Sequence, residues 1–452
     1  MPKKQLTLIP LIGIIYFTVS GGAFGLENVI SGAGPELGLA LLIITPLLWS
    51  VPIALVTAEM ATMLPIDGGY YRWVYFGLGR FWGFQEGWWT WLYTFVDMAI
   101  YPVVFTTYLK YFFPGMTGWQ QWLMNLVVIF TSLLINWRGA KSVGNSAIIA
   151  FIVVTAAFLL LSVIGIVKMT HVPWQPLVPG VEKHLSETLG LGLSAVMWSY
   201  MGWDNVSTFA GEVKNPGRTF PRAMLWAVLL VTVLYLLPIG VALGATNTWR
   251  EWDSDNYTIS RVAAELVAPW LGAVISFAVM FSNWSLFNSQ LLYTSRLPFT
   301  MAEDGLLPKV ITKTHPRYGT PIVSLLLCAT IYSVFTFLPF SKLVIIDVLI
   351  YSISLLLEFV ALIRLRYTHP EMLRPFKIPG GKLGLTVSFC SLLLFATVFV
   401  GFTLTGEKDS WIQVLIVAGL LLTGPLVYWA YGKLNREAGK VEWIQNVVAV
   451  RK

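Results

Sequence analysis

The sequence predicts an all-α membrane protein with twelve transmembrane helices, the first ten of which form two inverted repeats of five. Hydrophobic residues make up 56% of the 452 residues and charged residues only 12%, about half the charged fraction of a soluble protein. The apolar residues fall into about twelve runs of roughly 18 or more, the length that an α-helix needs to cross a bilayer. One ten-residue segment of the first run also recurs in the sixth run. Together these observations exclude soluble, fibrous and disordered proteins.

Hydropathy and helix-breaking residues set the limits of the predicted spans. In chain order the twelve spans cover residues 6–31, 37–64, 83–112, 121–137, 146–169, 189–213, 222–246, 270–297, 321–338, 343–365, 385–404 and 411–431. The first span follows Lys3 and Lys4 and resembles a secretory signal. Because eleven further spans follow it, we interpret it as a transmembrane helix that is retained.

Basic residues cluster between the spans rather than in a stripe, so the formal charge of +7 indicates membrane orientation and not nucleic-acid binding. If the N-terminus is cytoplasmic, 23 of the 30 Lys and Arg residues lie on the cytoplasmic side and seven on the other. Such an asymmetry is typical of the positive-inside rule. We therefore expect a multi-pass protein of the plasma or cytoplasmic membrane with both termini in the cytoplasm.

The loops are too short to hold a catalytic domain. The longest outer segment covers residues 247–269 and contains a helix-like stretch at 259–267, which we interpret as a small lid. All four histidines fall in loops, and the spans contain no nucleophile–base pair and no set of metal ligands. The sequence therefore predicts neither an enzyme nor a bound metal or cofactor. Cys328 and Cys390 lie inside apolar runs and are interpreted as packing residues.

The first and sixth spans contain related segments. Residues 25–34 align with residues 202–211 at a constant offset of 177, and five of the ten pairs are identical. The offset corresponds to five spans, and because a duplicated odd number of spans must insert with opposite topology, the two halves are predicted to be inverted repeats. We divide the chain into a first repeat (1–180), a second repeat (181–370) and a C-terminal pair of spans (371–452).

Glycine-containing interruptions precede both related segments. The first is Ser20-Gly21-Gly22 and the second is Ser199-Tyr200-Met201-Gly202. Matched interruptions in two inverted halves indicate discontinuous helices around a polar cavity. Such breaks expose N–H groups that bind anions and carbonyl groups that bind cations, so we expect a substrate carboxylate to meet the N–H groups around Gly21, Gly22 and Ala23. The alternative is that these glycines only allow close helix packing.

Three carboxylates, Glu27, Asp97 and Asp204, lie at the breaks or in mid-span. An ionised carboxylate at mid-membrane costs roughly 2.5 to 3.5 kcal/mol, and Asp97 has no basic residue nearer in sequence than Arg80 or Lys110. We expect these three acids to bind a cationic substrate or to carry a coupling proton. The alternatives are a protonated, hydrogen-bonded Asp97 and a favourable interaction of Glu27 and Asp204 with the helix dipole.

Four other acids lie nearer the ends of their predicted spans. They are Glu59, Glu86, Asp347 and Glu358. A carboxylate at a span end can reach the interface or a basic partner at little cost. We expect these four to be exposed at the interface or paired with Arg72, Arg364 or Arg366.

Aromatic and hydroxyl side chains supply the remaining candidate contacts. Five aromatic residues near the breaks are expected to cover a bound cation, each contact contributing roughly 0.5 to 2 kcal/mol: Phe24, Tyr93, Trp198, Tyr200 and Trp203. Trp203 directly precedes Asp204 and is expected to help close the outer side, although packing is the commoner role of such residues. Ser282 and Ser285 belong to a polar stripe that either ligates sodium with carbonyls of the first span or makes interhelical hydrogen bonds.

Several motifs resemble those of the amino acid–polyamine–organocation permeases. They include Ser20-Gly21-Gly22-Ala23-Phe24-Gly25-Leu26-Glu27, Trp203-Asp204-Asn205-Val206-Ser207-Thr208 and Arg374-Pro375-Phe376-Lys377-Ile378-Pro379. The resemblance covers nearly the whole chain and is closest to the polyamine-uptake branch. It implies the LeuT-type fold, ten core helices plus two, and alternating access that is usually coupled to protons. Many relatives carry a lysine in the fifth span, but residues 146–167 contain none, so proton and sodium coupling both stay open.

We therefore expect a secondary transporter that imports a cationic amine, such as a polyamine, or an amino acid. A neutral amino acid permease or exchanger of the same fold is the alternative within this class, and a membrane nutrient sensor without net transport is the alternative outside it. The expected partners are the small-molecule substrate, a coupling proton or sodium ion, and the lipid membrane. Nucleic acid is not an expected partner, and the sequence leaves the oligomeric state open.

Overall fold

The computed structural model describes residues 7–65, 68–137, 140–174, 185–207, 213–405 and 410–434. These residues fold into helices joined by short connections, and Asp253 and Tyr257 form an isolated β-bridge. The α-helices are α1 (Leu8–Val19), α2 (Glu27–Ala33), α3 (Pro35–Thr45), α4 (Val51–Met63), α5 (Gly69–Leu78), α6 (Arg80–Leu109), α7 (Gly118–Trp137), α8 (Ala140–Lys168), α9 (Leu185–Ser199), α10 (Pro216–Ala245), α11 (Ile259–Leu266), α12 (Pro269–Thr294), α13 (Arg296–Glu303), α14 (Ile322–Phe335), α15 (Phe340–Thr368), α16 (Gly381–Thr405) and α17 (Ser410–Leu434). The prediction of an all-α protein is confirmed over these residues.

Nine helical segments of the described chain are long and apolar enough to cross a membrane, and each coincides with a predicted span. They are Pro35–Met63, Arg80–Leu109, Gly118–Trp137, Ser146–Lys168, Pro216–Ala245, Pro269–Glu303, Phe340–Thr368, Gly381–Leu404 and Trp411–Tyr431. The other three predicted spans correspond to shorter helices. The first consists of α1 and α2, the sixth contains α9, and the ninth contains α14.

The helices differ in how much of their surface the protein itself covers. The most apolar stretch is 89% buried in α6 and 78% buried in α15, but only 22% in α7 and 17% in Trp411–Tyr431. The helices α6 and α15 therefore form the centre of the bundle, where they pack along each other. Exposed faces carry large apolar side chains such as Phe130, Val167 and Leu426, as expected of a surface that contacts lipid.

The predicted interruption of the first span is confirmed. Helix α1 ends at Val19 and α2 begins at Glu27, so residues 20–26 are not helical. Within them Gly22 has φ 125° and Gly25 has φ 76°, a left-handed region that side chains with a Cβ rarely adopt. The glycines that the sequence analysis singled out therefore allow the chain to leave the helix and re-enter it.

The sixth predicted span is also interrupted at the predicted place. Helix α9 ends at Ser199, residues 200–204 are not helical, and Gly202 has φ 89°. A single 3-10 turn follows at residues 205–207. The half-helix that the sequence places after this turn extends into residues 208–212, which lie outside the described residues.

Short helices lie between several of the spans. The lid helix α11 confirms the helix-like stretch predicted at 259–267, whereas α5 and α13 were not predicted because they are short and carry polar residues. Arg72 of α5 forms an ion pair of 3.0 Å with Asp304, which directly follows α13. This contact ties the two unpredicted helices together beside the ends of the spans.

Candidate functional site

A small cavity lies where the two interruptions meet. Gly202 approaches the first span so closely that a Cβ atom on it would lie 3.2 Å from the carbonyl oxygen of Thr18. The cavity has an accessible volume of about 30 Å³, enough for roughly two water molecules. Eight of the predicted site residues line it: Gly21, Gly22, Phe24, Tyr93, Asp97, Trp198, Ser199 and Gly202.

Asp97 is the carboxylate that lines this cavity. It lies near the middle of α6 and is 8% exposed, and its Oδ1 accepts hydrogen bonds from the Tyr101 hydroxyl (3.1 Å) and from the Trp198 indole N–H (3.5 Å). The ion pairs among the described residues involve Arg72, Arg366 and Arg374 and do not include Asp97. Its hydrogen-bond donors among the described residues are therefore neutral groups.

The backbone of the first interruption lies against α12. The Ser282 hydroxyl donates a 2.6 Å hydrogen bond to the carbonyl oxygen of Gly21. A Cβ atom on Gly21 would lie only 2.2 Å from Cδ1 of Leu286, so a larger residue here would have to displace the Leu286 side chain. Ser285 is buried, and its hydroxyl has no hydrogen-bond partner among the described residues. The Ser282 contact is an interhelical hydrogen bond, one of the two roles expected for this residue.

Aromatic rings cover Asp97 on one side of the cavity. Trp198 packs edge-on against Phe340, with ring centroids 5.2 Å apart, and its other neighbour is Phe24 at 6.4 Å. Tyr93 and Tyr351 also line the cavity and pack edge-on, with centroids 5.4 Å apart. These rings leave an acidic, largely apolar compartment, which is the arrangement that favours an organic cation over a free anion.

Six of the predicted substrate-binding residues do not line the cavity. Trp203 is fully buried and donates its indole N–H to the carbonyl oxygen of Tyr200 at 2.8 Å, while the Tyr200 hydroxyl donates to the carbonyl oxygen of Leu42 at 2.9 Å. Asp204 accepts a hydrogen bond from the Tyr351 hydroxyl. The other three residues are Ser20, Ala23 and Glu27.

Glu27 contacts the lid rather than the cavity. Its Oε1 accepts hydrogen bonds from the backbone N–H of Ile259 (2.8 Å) and from the Tyr108 hydroxyl (3.0 Å), and its Oε2 accepts one from the Ser254 hydroxyl (3.1 Å). Burial, reinforced by the neighbouring Asp253, raises the pKa of the lid residue Asp255. The start of α2 is therefore fastened to the lid by a fully buried carboxylate.

Several lining residues were not predicted. Tyr101 lies one helical turn after Asp97, so the i, i+4 spacing could have indicated it. Gln290 directly follows the polar stripe of α12, and Asn205 follows Asp204 in the second interruption. Tyr351 lies in α15 and has no comparable sequence signal, because its role depends on how α15 packs against the second interruption.

One expectation about the acids was wrong and one was confirmed. Glu59 pairs with Arg366, as expected for an acid near a span end. Glu86, Asp347 and Glu358 are instead 0–2% exposed and take part in no ion pair among the described residues. Sequence position gives the depth of a residue along a helix but not the face on which it lies, and these three lie on the faces that α6 and α15 turn towards the protein interior.

A bundle of apolar helices around a cavity that contains a buried carboxylate identifies the protein as a membrane transporter. The chain belongs to the amino acid permease family, whose sequence model matches residues 6–448. It is 36% identical over 423 residues to the polyamine transporter RMV1 of Arabidopsis thaliana, covering 93% of this chain and 84% of the relative. It is 36% identical over 382 residues to the polyamine transporter PUT1 of Oryza sativa subsp. japonica (84% and 71%), and 25% identical over 430 residues to the branched-chain amino acid permease BcaP of Bacillus subtilis (89% and 86%). The protein is thus an integral, multi-pass membrane transporter and not an enzyme.

Proposed function

We propose that this protein is a secondary transporter that imports a cationic amine, most simply a polyamine, and holds its ammonium group at Asp97. The observation that carries the proposal is a buried carboxylate that lines the cavity without a basic partner among the described residues. Because an uncompensated carboxylate at mid-membrane costs roughly 2.5 to 3.5 kcal/mol, a substrate ammonium or a proton stabilises it. The names of the two plant relatives support the choice of a polyamine.

Proton-coupled import requires a second acid. One carboxylate cannot hold an ammonium group and a proton at the same time, and exchanging one for the other at Asp97 would move protons outward as the amine enters. An importer driven by an inward proton gradient therefore needs a carboxylate other than Asp97 for the coupling proton. Sodium is the alternative coupling ion, because the Ser282 hydroxyl and the Gly21 carbonyl oxygen are both oxygen atoms of the kind that ligate it. Asp204 is the candidate for the coupling proton, since it lies one hydroxyl group away from the cavity through Tyr351.

We also propose the architecture that the sequence predicts. Its twelve spans form a LeuT-type arrangement, with inverted repeats at 1–180 and 181–370, a C-terminal pair at 371–452, and both termini in the cytoplasm. The two interruptions are the fixed centre, and the helices around them open alternately to either side. The lid that Glu27 fastens then belongs to the outer gate.

A neutral amino acid permease or exchanger is the second candidate function. It is favoured by the family description and by the 25% identity to BcaP. In that case the substrate carboxylate would meet N–H groups of the first interruption, and Asp97 would stay protonated. A nutrient sensor with the same fold would bind substrate without moving it.

Transport by the purified protein in liposomes distinguishes these candidates. We expect labelled putrescine to enter against its gradient when the lumen is alkaline, without a requirement for sodium, and to exchange in counterflow. Asp97→Asn should abolish this uptake, whereas the matched control Glu303→Gln, which removes a charge from an exposed position at the end of α13, should not. Uptake of neutral amino acids alone would contradict the proposal, and binding without counterflow would identify a sensor.

A further inference from the structure

Five buried carboxylates form a column along the contact between α6 and α15. Glu86 and Asp97 belong to α6, Asp347 and Glu358 to α15, and Asp204 to the second interruption. Their exposed fractions are 0%, 8%, 0%, 2% and 2% in that order. None of the five takes part in an ion pair among the described residues. A column of this kind is costly unless protons or an external cation neutralise it.

The column has two levels, each formed by one acid of either helix. Asp97 and Asp347 lie close enough for their charges to interact, and so do Glu86 and Glu358. The two acids of α6 are 11 residues apart, as are the two of α15, so at 1.5 Å per residue the levels are about 16 Å apart. The Asp97–Asp347 level comes second along α6 and first along α15, so the two helices run antiparallel and keep the two pairs in register.

Unsatisfied oxygen atoms occur at both levels. Both carboxylate oxygens of Asp347 are buried without a hydrogen-bond partner in the part of the chain that the structure describes. At the other level Oε1 of Glu86 accepts hydrogen bonds from Ser354 (2.7 Å) and Thr90 (3.1 Å), but its Oε2 has no partner there. A buried carboxylate oxygen left without a partner costs about 1–3 kcal/mol or more. Each level therefore offers acceptors that a multiply charged donor would satisfy.

Asp204 lies between the levels. It interacts electrostatically with Glu86 and Glu358 and accepts a hydrogen bond from the Tyr351 hydroxyl. Tyr93 contacts the residue next to Asp204, because its hydroxyl donates a hydrogen bond to the Asn205 side chain at 3.3 Å. Tyr93 and Tyr351 separate the cavity at Asp97 from Glu86 and Glu358. An elongated ligand that reaches both levels must therefore displace these two tyrosines.

We propose that Glu86 and Glu358 form a second ammonium subsite, and that the column binds a linear polyamine lengthwise with its ends at Asp97–Asp347 and Glu86–Glu358. This inference rests on the proposed function and adds to it a selection for chain length. An extended chain advances about 1.2 Å per bond, so the terminal nitrogens of spermine, thirteen bonds apart, are about 16 Å apart. Those of putrescine, five bonds apart, are about 6 Å apart and reach one level only.

Equilibrium binding of putrescine, spermidine and spermine to the purified full chain tests the inference. In the wild type we expect affinity to rise with the number of ammonium groups. Glu358→Gln and Glu86→Gln should each lower the ratio of spermine to putrescine affinity by about tenfold, which is the loss of one charge-assisted hydrogen bond. Glu303→Gln should leave the ratio unchanged, and Glu358→Asp, which keeps the charge, should largely preserve it.

The ratio separates a binding role from a structural one, because a variant that is merely less well folded loses affinity for all three amines together. A wild type that binds putrescine and spermine equally, or variants whose ratio equals that of the wild type, would overturn the second subsite while leaving the proposed function intact. A wild type that binds none of the three amines would contradict both.

Discussion

The contact between Glu27 and the lid gives the most detailed prediction. Three groups donate to this carboxylate, and two of them, the Ser254 hydroxyl and the Ile259 N–H, belong to the lid segment. Hydrogen bonds to a charged acceptor contribute about 1.5–3 kcal/mol each. Glu27→Gln keeps one carbonyl oxygen for the Ile259 N–H but removes the charge and places an amide group next to Ser254.

We therefore expect Glu27→Gln to weaken lid closure by about 2 kcal/mol, which corresponds to roughly a thirtyfold larger population of the open lid. Hydrogen–deuterium exchange of peptides that cover residues 252–262 measures this population, because exchange of a buried amide reports its local opening. The Ile259 amide is the most informative position, since Glu27 is its acceptor. Ser254→Ala removes one of the three bonds and should give an increase of intermediate size.

The control is Glu251→Gln, which makes the same chemical change at an exposed position of the lid segment. It should leave the exchange rates of residues 252–262 as they are in the wild type. If Glu27→Gln and Glu251→Gln gave the same rates, the carboxylate would not fasten the lid, and the role assigned to Glu27 would be wrong.

Three further variants test other parts of the structure. Gly21→Ala should lower stability by about 1–3 kcal/mol and reduce transport, because its Cβ would lie 2.2 Å from Leu286. Thermal melts should show partial recovery when Leu286→Ala is added. A Gly21→Ala variant as stable as the wild type would contradict the close approach. Glu59→Gln should destabilise by about 3–5 kcal/mol, since it leaves Arg366, whose side chain is only 9% exposed, without its charged partner, and an unchanged melting temperature would refute this. Because burial raises the pKa of Asp255, ionising it opposes folding, so stability falls as pH rises from the unfolded pKa to the folded pKa. Asp255→Asn should therefore melt higher than the wild type at neutral pH, with a difference that vanishes on acidification, and an equal difference at every pH would contradict the assignment.

The interruptions and Asp97 could be predicted from sequence because their signals are local. Gly21 and Gly22 precede a segment that recurs 177 residues later, and lipid tolerates exposed backbone only around a polar site. Asp97 lies far from any basic residue in an apolar run, so the cost of its charge indicates a function wherever its helix packs. Both features can therefore be predicted without knowing which helices are neighbours in the fold.

The remaining parts of the site depend on contacts between distant segments. Glu27 was expected at the cavity, but its partner Ser254 is 227 residues away in sequence, and no local pattern connects the two. Glu86 and Glu358 were expected near the interface, because hydropathy describes depth and not the face of a helix. Tyr351 was missed for the same reason, since only the packing of α15 brings its hydroxyl to Asp204.

An experimental structure of the full chain in a lipid nanodisc with putrescine bound tests the role of Asp97 most directly. We expect density for the diamine between the two interruptions, with one nitrogen within hydrogen-bond distance of the Asp97 carboxylate. The same preparation of Asp97→Asn should show no such density. Putrescine bound at another place, or bound equally well in both preparations, would contradict the central role of Asp97.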